Sequence, residues 1–229
     1  ARSHAHVSAA AVVARRRLAL AVFVVVLAPA EASGIFAARA GLKTAVDEWV
    51  ADAEAAEATH GPIAGWDVSR VDDMSLLLNA KTTFNAQIGG WDTSRVTNMG
   101  WTFQYMVAFT QPLVWDTSKV TTMQDTFSST TAFNSELAWD TSQVTNMQSA
   151  FYQAQAFDQL LAWDTSKVKN MEFTFSRADA FNQPGISAWD VSKVSAMRGT
   201  FYLAEAFNQP LAWDTSSVTE MQEMFRYAT

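Results

Sequence analysis

Seven aspartates recur in this sequence, and each directly follows a tryptophan. With positions counted from each Trp, these +1 carboxylates are Asp67, Asp92, Asp116, Asp140, Asp164, Asp190 and Asp214. If successive units stack, the carboxylates form a ladder that could attract calcium. Ca²⁺ takes about six to eight oxygen ligands, whereas each unit supplies one carboxylate and the glycine-rich nonapeptide of calcium-binding β-rolls is absent. We therefore expect each aspartate to cap a turn by accepting a bond from backbone N–H near the serine at +3.

The charge of the chain is unevenly distributed. Basic residues at +4 are expected to balance the aspartates: Arg70, Arg95, Lys119, Lys167 and Lys193. Residues 1–40 hold five arginines and one acid, which leaves 11 of the 16 basic and 22 of the 23 acidic residues in the remainder, a net charge of −11. Such an acidic body argues against nucleic acid, and against an anionic lipid surface, as the main partner.

The sequence carries no recognisable catalytic constellation. The three histidines, His4, His6 and His60, lack metal-ligand partners at helical spacing, and cysteine is absent, which excludes disulfides and thiolate metal sites. No nucleophile, base and orienting group can be assembled, and no glycine-rich phosphate loop is present. We therefore expect a protein that is not an enzyme and that needs no metal or cofactor.

A regular repeat organises the chain. Its tryptophans are Trp66, Trp91, Trp115, Trp139, Trp163, Trp189 and Trp213, so the step from one to the next is 25, 24, 24, 24, 26 and 24. Val stands at +5 and Met at +8 in all seven units, and Phe stands at +12 in six, with Leu78 in the first, and at +18 in all six complete units. A unit this short cannot bury its own apolar face, so the units are expected to stack around one core. These columns could also suggest a carbohydrate or pigment platform, but recurrence in every unit is more typical of core.

The spacing within a unit predicts its local structure. The side chains at +8 and +12 fall on one face of a short helix, while the alternating segment from Trp to +5 suits a short buried strand. Asn at +19 predicts a turn, as at Asn85, Asn134, Asn182 and Asn208. The extra residues of the two long units fall at Gly89-Gly90 and near Gly185, where a bulge is tolerated. The predicted fold class is an α/β repeat solenoid over residues 61–229, with one short strand and one short helix per coil.

The string W-D-[TV]-S-x-V-x-x-M-x-x-x-F-x-x-A-x-x-F-N-x-x-L is clearest from Trp189 to Leu211. It resembles the leucine-rich-repeat-like family of bacterial surface proteins and mycoplasma lipoproteins that is also expanded in marine algae. The likeness covers roughly residues 61 to 229, and the lead-in from Leu42 to Ser69 looks like the segment before these repeats in algal members. The resemblance implies leucine-rich-repeat-like coils that form a non-catalytic solenoid presenting a surface, with no catalytic residues to carry over.

An amphipathic segment precedes the repeats, over residues 41–60. Its apolar face consists of Leu42, Ala45, Val46, Trp49, Val50 and Ala53. Acidic residues occupy the other face, so the segment predicts a helix. We expect this helix to cap the first coil, whose core would otherwise be exposed.

The N-terminal residues admit two interpretations. Residues 1–17 are basic, and the apolar run Leu18–Ala30 has the length of a signal-peptide core. Ala28-Pro29-Ala30 and Ala30-Glu31-Ala32 both resemble cleavage sites, and Arg16-Arg17 resembles a twin-arginine export signal. If residues 18–38 are instead retained, the segment is long enough to span a membrane with the arginines on the cytoplasmic or stromal side. The expected membrane-contacting residues are Leu18, Phe23, Val26, Leu27 and Phe36.

Outward positions that vary between coils are the candidates for partner contact, because tyrosine and arginine favour interfaces. They are Tyr105, Gln124, Tyr152, Glu172, Arg198 and Tyr202. The first functional hypothesis is a membrane-anchored scaffold that docks on the protein subunits of a larger membrane complex. Its sharpest version is an accessory or linker subunit of an algal photosystem and light-harvesting assembly, in the thylakoid with the repeats in the lumen and pigment-proteins as neighbours. The alternative is an exported cell-surface adhesion or recognition protein.

Overall fold

A computed structural model describes residues 34–228. The chain begins with helix α1 (Arg39–Ala51) and helix α2 (Ala53–His60), followed by a stack of turns with the same period as the sequence repeat. Two short 3-10 helices, Ile63–Gly65 and Pro184–Ala188, are the other helical elements among the described residues. The predicted basic segment 1–17, and residues 18–33 of the predicted membrane segment, lie outside the described residues.

Successive repeats pair through single parallel bridges at position +7. These bridges join Asp73 to Asn98 and continue through Thr122, Asn146, Asn170, Ala196 and Glu220. Each bridge stands alone, so residues 34–228 contain no continuous strand or sheet. Paired backbones lie about 4.8 Å apart, which places consecutive repeats directly against one another.

A ladder of backbone hydrogen bonds extends each bridge along the chain. The N–H groups at +8, +10, +12 and +14 donate to carbonyls at +7, +9, +11 and +13 of the next repeat. In the fourth repeat the donors are Met147 (2.9 Å), Ser149 (2.8 Å), Phe151 (2.8 Å) and Gln153 (2.9 Å), and the acceptors are Asn170, Glu172, Thr174 and Ser176. The intervening N–H groups bond within their own repeat, so the backbone is satisfied without a helix or a sheet.

The predicted helix in each repeat is wrong. Positions +10 and +14 have left-handed backbone, as at Ser149 (φ 53°) and Gln153 (φ 56°), which a right-handed helix does not allow. The N–H of Ala150 bonds the carbonyl of Met147, which closes a turn instead of a helical i to i−4 bond. The Met and Phe side chains do face the same core, but a chain of turns brings them there.

The predicted strand from Trp to +5 is also wrong. The aspartate side chain binds the N–H of the serine at +3, and the N–H of the valine at +5 bonds the carbonyl at +2, as Val144 does to Thr141 at 2.9 Å. These local bonds use the N–H groups that a strand would offer to its neighbour. The α/β repeat solenoid is therefore overturned as the fold class, because the repeats contain turns and isolated bridges where a strand and a helix were expected.

The core consists of aromatic and aliphatic columns that run the length of the stack. Consecutive Trp rings lie 6.2 to 6.5 Å apart and are nearly parallel, and Val at +5 and Met at +8 are buried in the first six repeats. Each indole N–H donates to a backbone carbonyl of the preceding turn, as Trp139 does to Leu113 at 3.1 Å. The Trp column is thus core, and its polar atoms are satisfied inside it.

The asparagines at +19 connect repeats, which differs from the local turn that was expected. The side-chain oxygen of Asn134 accepts the N–H of Asp158 and the side-chain amide of Gln159, both at 2.9 Å and both in the next repeat. Asn182 accepts from Asn208 and Gln209 in the same way. These bonds add a second ladder between repeats, made by side chains.

The N-terminal helices cover the first repeat, in two segments where one was predicted. Asp52 interrupts the helix with extended backbone, and its side chain caps α2 through the N–H of Ala55 at 3.1 Å. Helix α1 buries three apolar residues, and Arg39 donates to the carbonyl of Ser75 at 2.7 Å. The cap therefore covers the apolar core of the first repeat and also donates a hydrogen bond to its backbone.

Phe36 lies in the core, although it was expected in a membrane. It is 7% exposed, and its ring packs 5.1 Å from Trp66 and 5.9 Å from His60. Its N–H bonds the Asp67 carbonyl at 2.9 Å. Among residues 34–228, no helix has both the length and the apolar character needed to cross a bilayer.

Gly199 is the one glycine at the left-handed positions +10 and +14 of the repeats, and its replacement by alanine tests the packing there. Gly199, at +10 of the sixth repeat, has φ 57°, and an added Cβ would lie 2.5 Å from the Phe173 ring. We expect Gly199→Ala to lower the free energy of unfolding by about 2 kcal/mol, roughly half from backbone strain and half from the ring contact. Urea unfolding measures it. In a Phe173→Ala background the cost should fall to the strain alone, and an undiminished cost there would contradict the ring contact.

Candidate functional site

The seven aspartates after the tryptophans cap turns, as their position predicted. In every repeat the Asp oxygen accepts the backbone N–H of the serine at +3, at 2.9 to 3.0 Å. No ion pair among residues 34–228 joins these aspartates to the basic residues at +4. No group of three or more His, Asp or Glu that could hold a metal is found in this part of the chain. The aspartate ladder is therefore part of the framework of the stack.

Hydrogen bonds from the serines lower the pKa of five of these aspartates. In Asp116, Asp164 and Asp214 the largest cause is the serine N–H, and in Asp67 and Asp190 it is the serine hydroxyl. The cations at +4 contribute less in the four repeats where they act. These carboxylates are exposed, so each adds little to stability, but the effect repeats along the stack.

This pattern predicts acid sensitivity. A folded-state pKa below the unfolded value of 3.8 gives stability that is present above 3.8 and is lost as the pH falls through the folded pKa. We expect the free energy of unfolding to decline below about pH 4, and to decline less steeply in an Asp116→Asn, Asp164→Asn double variant. Asn can still accept the serine N–H but does not titrate. Urea unfolding between about pH 6 and pH 2 measures both slopes, and equal slopes would contradict the prediction.

The outward surface of the bonded turns is the candidate binding site. We call it the turn face, and it comprises positions +9, +10, +13 and +14 of the repeats. Most of the residues at these positions are at least partly exposed, while those at +8, +11 and +12 are buried in most repeats. All six residues predicted for partner contact lie on it: Tyr105, Gln124, Tyr152, Glu172, Arg198 and Tyr202. The structure thus brings the predicted residues onto one side of the stack, over five consecutive repeats.

A shallow cleft of about 320 Å³ occupies the middle of the turn face. It is lined by Gln104, Tyr105, Asp125, Ser128, Ser149, Tyr152 and Phe173. Two of the predicted residues, Tyr105 and Tyr152, border it from different repeats, and a third, Gln124, contacts the acid in it. A lining that combines polar groups with aromatic rings is suited to holding a side chain of a partner.

Asp125 is the distinctive group in this cleft. It is partly buried and has left-handed backbone (φ 51°), which aspartate tolerates better than most residues. Burial raises its pKa, while hydrogen bonds from Gln124, Ser128 and Trp101 oppose that rise. No ion pair among residues 34–228 involves Asp125. The fold therefore holds a carboxylate that is partly removed from water and has no cation beside it.

The other predicted contact residues lie farther along the same face. The Arg198 guanidinium lies 5.7 Å from the centre of the Phe173 ring, and the Tyr202 and Tyr227 rings meet edge to face at 5.9 Å. Glu172 is held by the bond from its backbone N–H to the Asn170 side chain, at 2.9 Å. Glu172, Arg198 and Tyr202 extend the face away from the cleft instead of lining it.

Sequence reasoning missed Asp125, Trp101, Phe173 and Ser149. All four occupy +10, where the residue types along the seven repeats are Leu, Trp, Asp, Ser, Phe, Gly and Glu. That variability was a usable signal, because the framework positions +8 and +12 hardly vary. The expected helix hid this signal, because every residue of a helix has the same right-handed backbone and +10 would be one of several outward positions.

Comparison with known families identifies the repeats. The model of the family described as "Mycoplasma protein of unknown function, DUF285" matches residues 44–162 and again residues 137–229. Together the matches cover more than four fifths of the chain. This chain belongs to the DUF285 family. No curated protein and no solved structure matches it.

The two DUF285 matches correspond to structural features of the stack. The first begins at Thr44, inside helix α1, so this family signature takes in part of the N-terminal cap as well as the repeats. The matches overlap at residues 137–162, which contain the whole of the Trp139 repeat. The DUF285 description names no activity and mentions neither leucine-rich repeats nor algae.

Proposed function

We propose that this DUF285 chain is a non-catalytic scaffold that binds partner proteins through the turn face. One observation carries the proposal: the inside of the stack repeats almost without change, while the turn face differs in every repeat and gathers aromatic residues. Those aromatic residues are Trp101, Tyr105, Tyr152, Phe173, Tyr202 and Tyr227. A regular framework with one variable side is how repeat proteins present extended binding surfaces.

The more specific form of the proposal adds a membrane and a partner. The apolar residues of the predicted 18–38 segment that precede Gly34 would anchor the chain in the membrane. The scaffold would dock on a larger membrane complex from the lumenal or extracellular side. The sharpest version is an accessory or linker subunit of an algal photosystem and light-harvesting assembly in the thylakoid, next to pigment-proteins. Its support is the apolar N-terminal sequence and the likeness of residues 42–69 to algal repeat proteins.

An exported adhesion or recognition protein is the second candidate. The small-residue sites around Ala30 and the likeness to bacterial surface proteins favour it. N-terminal sequencing of the native protein separates the two forms. A start at Glu31 or Ser33 supports export, whereas a start upstream of Leu18 supports the anchored scaffold.

Site-specific crosslinking in native membranes tests the binding surface itself. A photo-reactive residue replacing Tyr105 or Tyr202 should capture partner proteins, which mass spectrometry then names. The matched control replaces Val114, which is 84% exposed but lies beside the Trp column, away from the turn face. Equal capture from Val114 and from the turn face would contradict the proposed surface. Photosystem or light-harvesting proteins among the captured partners would support the thylakoid version, and their absence would reject it.

A further inference from the structure

We infer that the cleft around Asp125 binds a guanidinium or ammonium group carried by a basic segment of the partner protein. This inference rests on the proposed function, since it gives the chemistry of the partner that the turn face recognises. It begins from the carboxylate of Asp125, which is partly buried between repeats and has no cation beside it within residues 34–228.

The polar groups near Asp125 leave its charge unbalanced. Gln124, Ser128 and Trp101 act on its carboxylate and lower its pKa, against the rise that burial causes. All three side chains are neutral, and they come from two repeats. A charged N–H from outside would therefore supply the missing positive charge.

The aromatic residues that line the cleft favour a cation over a neutral ligand. Tyr105 and Tyr152 border the cleft, and a cation near a ring face is attracted by the π electrons. The same face already shows this contact, because the Arg198 guanidinium lies over the ring of Phe173, which also lines the cleft. A sugar could stack on these rings as well, but it would leave the charge of Asp125 unbalanced.

The charge of the surrounding protein also favours a basic partner. Residues 41–229 carry 11 basic and 22 acidic residues, a net charge of −11, so their field draws basic partners toward the stack and repels acidic ones.

Unfolding measurements should show that the ionised side chain of Asp125 lowers the stability of the folded protein. Because burial raises its pKa, the ionised form is less stable in the folded protein than in the unfolded chain. Asp125→Asn should therefore raise the melting temperature at neutral pH.

The test is an NMR titration of the full chain with an acetylated, amidated hexa-arginine peptide. The indole N–H of Trp101 is the local probe, assigned by its loss in Trp101→Phe. We expect the peptide to shift this signal, and Asp125→Asn to weaken binding about tenfold or more. Tyr152→Ala should weaken it about threefold or more. Asp140→Asn is the matched control, because it removes the same charge from a capped turn away from the cleft, and it should change affinity less than twofold.

Three outcomes would overturn the inference. If Asp125→Asn and Asp140→Asn weaken the affinity for hexa-arginine equally, the peptide binds to the overall negative charge of the protein and not to the cleft. A Trp101 signal that shifts with maltohexaose but not with hexa-arginine would assign the cleft to carbohydrate. If hexa-arginine fails while Tyr105 or Tyr202 still captures a protein partner, the scaffold proposal survives and the chemistry inferred for Asp125 does not.

Discussion

Phe151→Ala is expected to lower the free energy of unfolding by about 3 to 5 kcal/mol, the range for a large cavity in a packed core. Phe151 is fully buried in the central repeat. Its ring lies 4.3 Å from the ring of Phe157 and about equally far, at 5.4 and 5.5 Å, from Phe127 and Phe175 in the two adjacent repeats. Truncating it therefore opens a void that touches three repeats at once. Urea unfolding followed by circular dichroism measures the loss.

The first repeat supplies the control for this prediction. Leu78 occupies the same +12 position there and is fully buried, so the framework accepts a smaller apolar side chain in this column. Phe151→Leu should accordingly cost about 1.5 kcal/mol or less. If the Leu and Ala variants lose the same stability, the loss does not come from a cavity in the core and the explanation given for Phe151→Ala is wrong.

Gly89→Ala should also be strongly destabilising, with a loss of about 1 to 3 kcal/mol in the free energy of unfolding. An added Cβ at Gly89 would lie 2.4 Å from the backbone carbonyl oxygen of Pro112 in the next repeat. A backbone oxygen cannot swing aside as a side chain can, so the two repeats must separate locally. The loss should appear as a lower urea midpoint with an unchanged slope.

The neighbouring glycine is a close control. A Cβ at Gly90 would meet no atom within 4 Å, so Gly90→Ala has space for the methyl group. Removing a glycine also lowers the entropy of the unfolded chain, which stabilises a protein by roughly 0.4 to 1 kcal/mol where the backbone permits it. We expect Gly90→Ala to be neutral or slightly stabilising. A loss of stability as large as that of Gly89→Ala would show that the short distance to the Pro112 carbonyl is not the cause.

Much of the architecture could be predicted from residue types alone. The period, the burial of the Trp, Val, Met and Phe columns and the turn-capping aspartates all follow from spacing and side-chain chemistry. They could be predicted because each is repeated seven times, or nearly so, which makes the signal strong. The cap over the first repeat could be predicted because the apolar face of residues 41–60 needs a core to cover.

The local structure of each repeat could not be predicted in this way. Met at +8 and Phe at +12 fit a helix, but the backbone instead turns at +10 and +14 with positive φ, as in Ser149 and Gln153. Non-glycine residues accept that conformation here because their N–H groups bond the next repeat, at 2.8 Å for Ser149 and 2.9 Å for Gln153. Those partners lie nearly a whole repeat away in sequence, so no short-range pattern reports them. The same separation explains why the Asn134 bond was misassigned to its own turn.

Spacing and residue types alone show that the chain repeats, which side chains are buried and that its body is acidic. How the backbone runs between those side chains, and therefore which outward residues meet, depends on contacts between repeats. Asp125 and Tyr152 belong to different repeats and are far apart in the sequence, yet they line one cleft. The physical reason is that side-chain burial is encoded within each repeat, whereas the hydrogen bonds that stack one repeat on the next form only between segments distant in sequence.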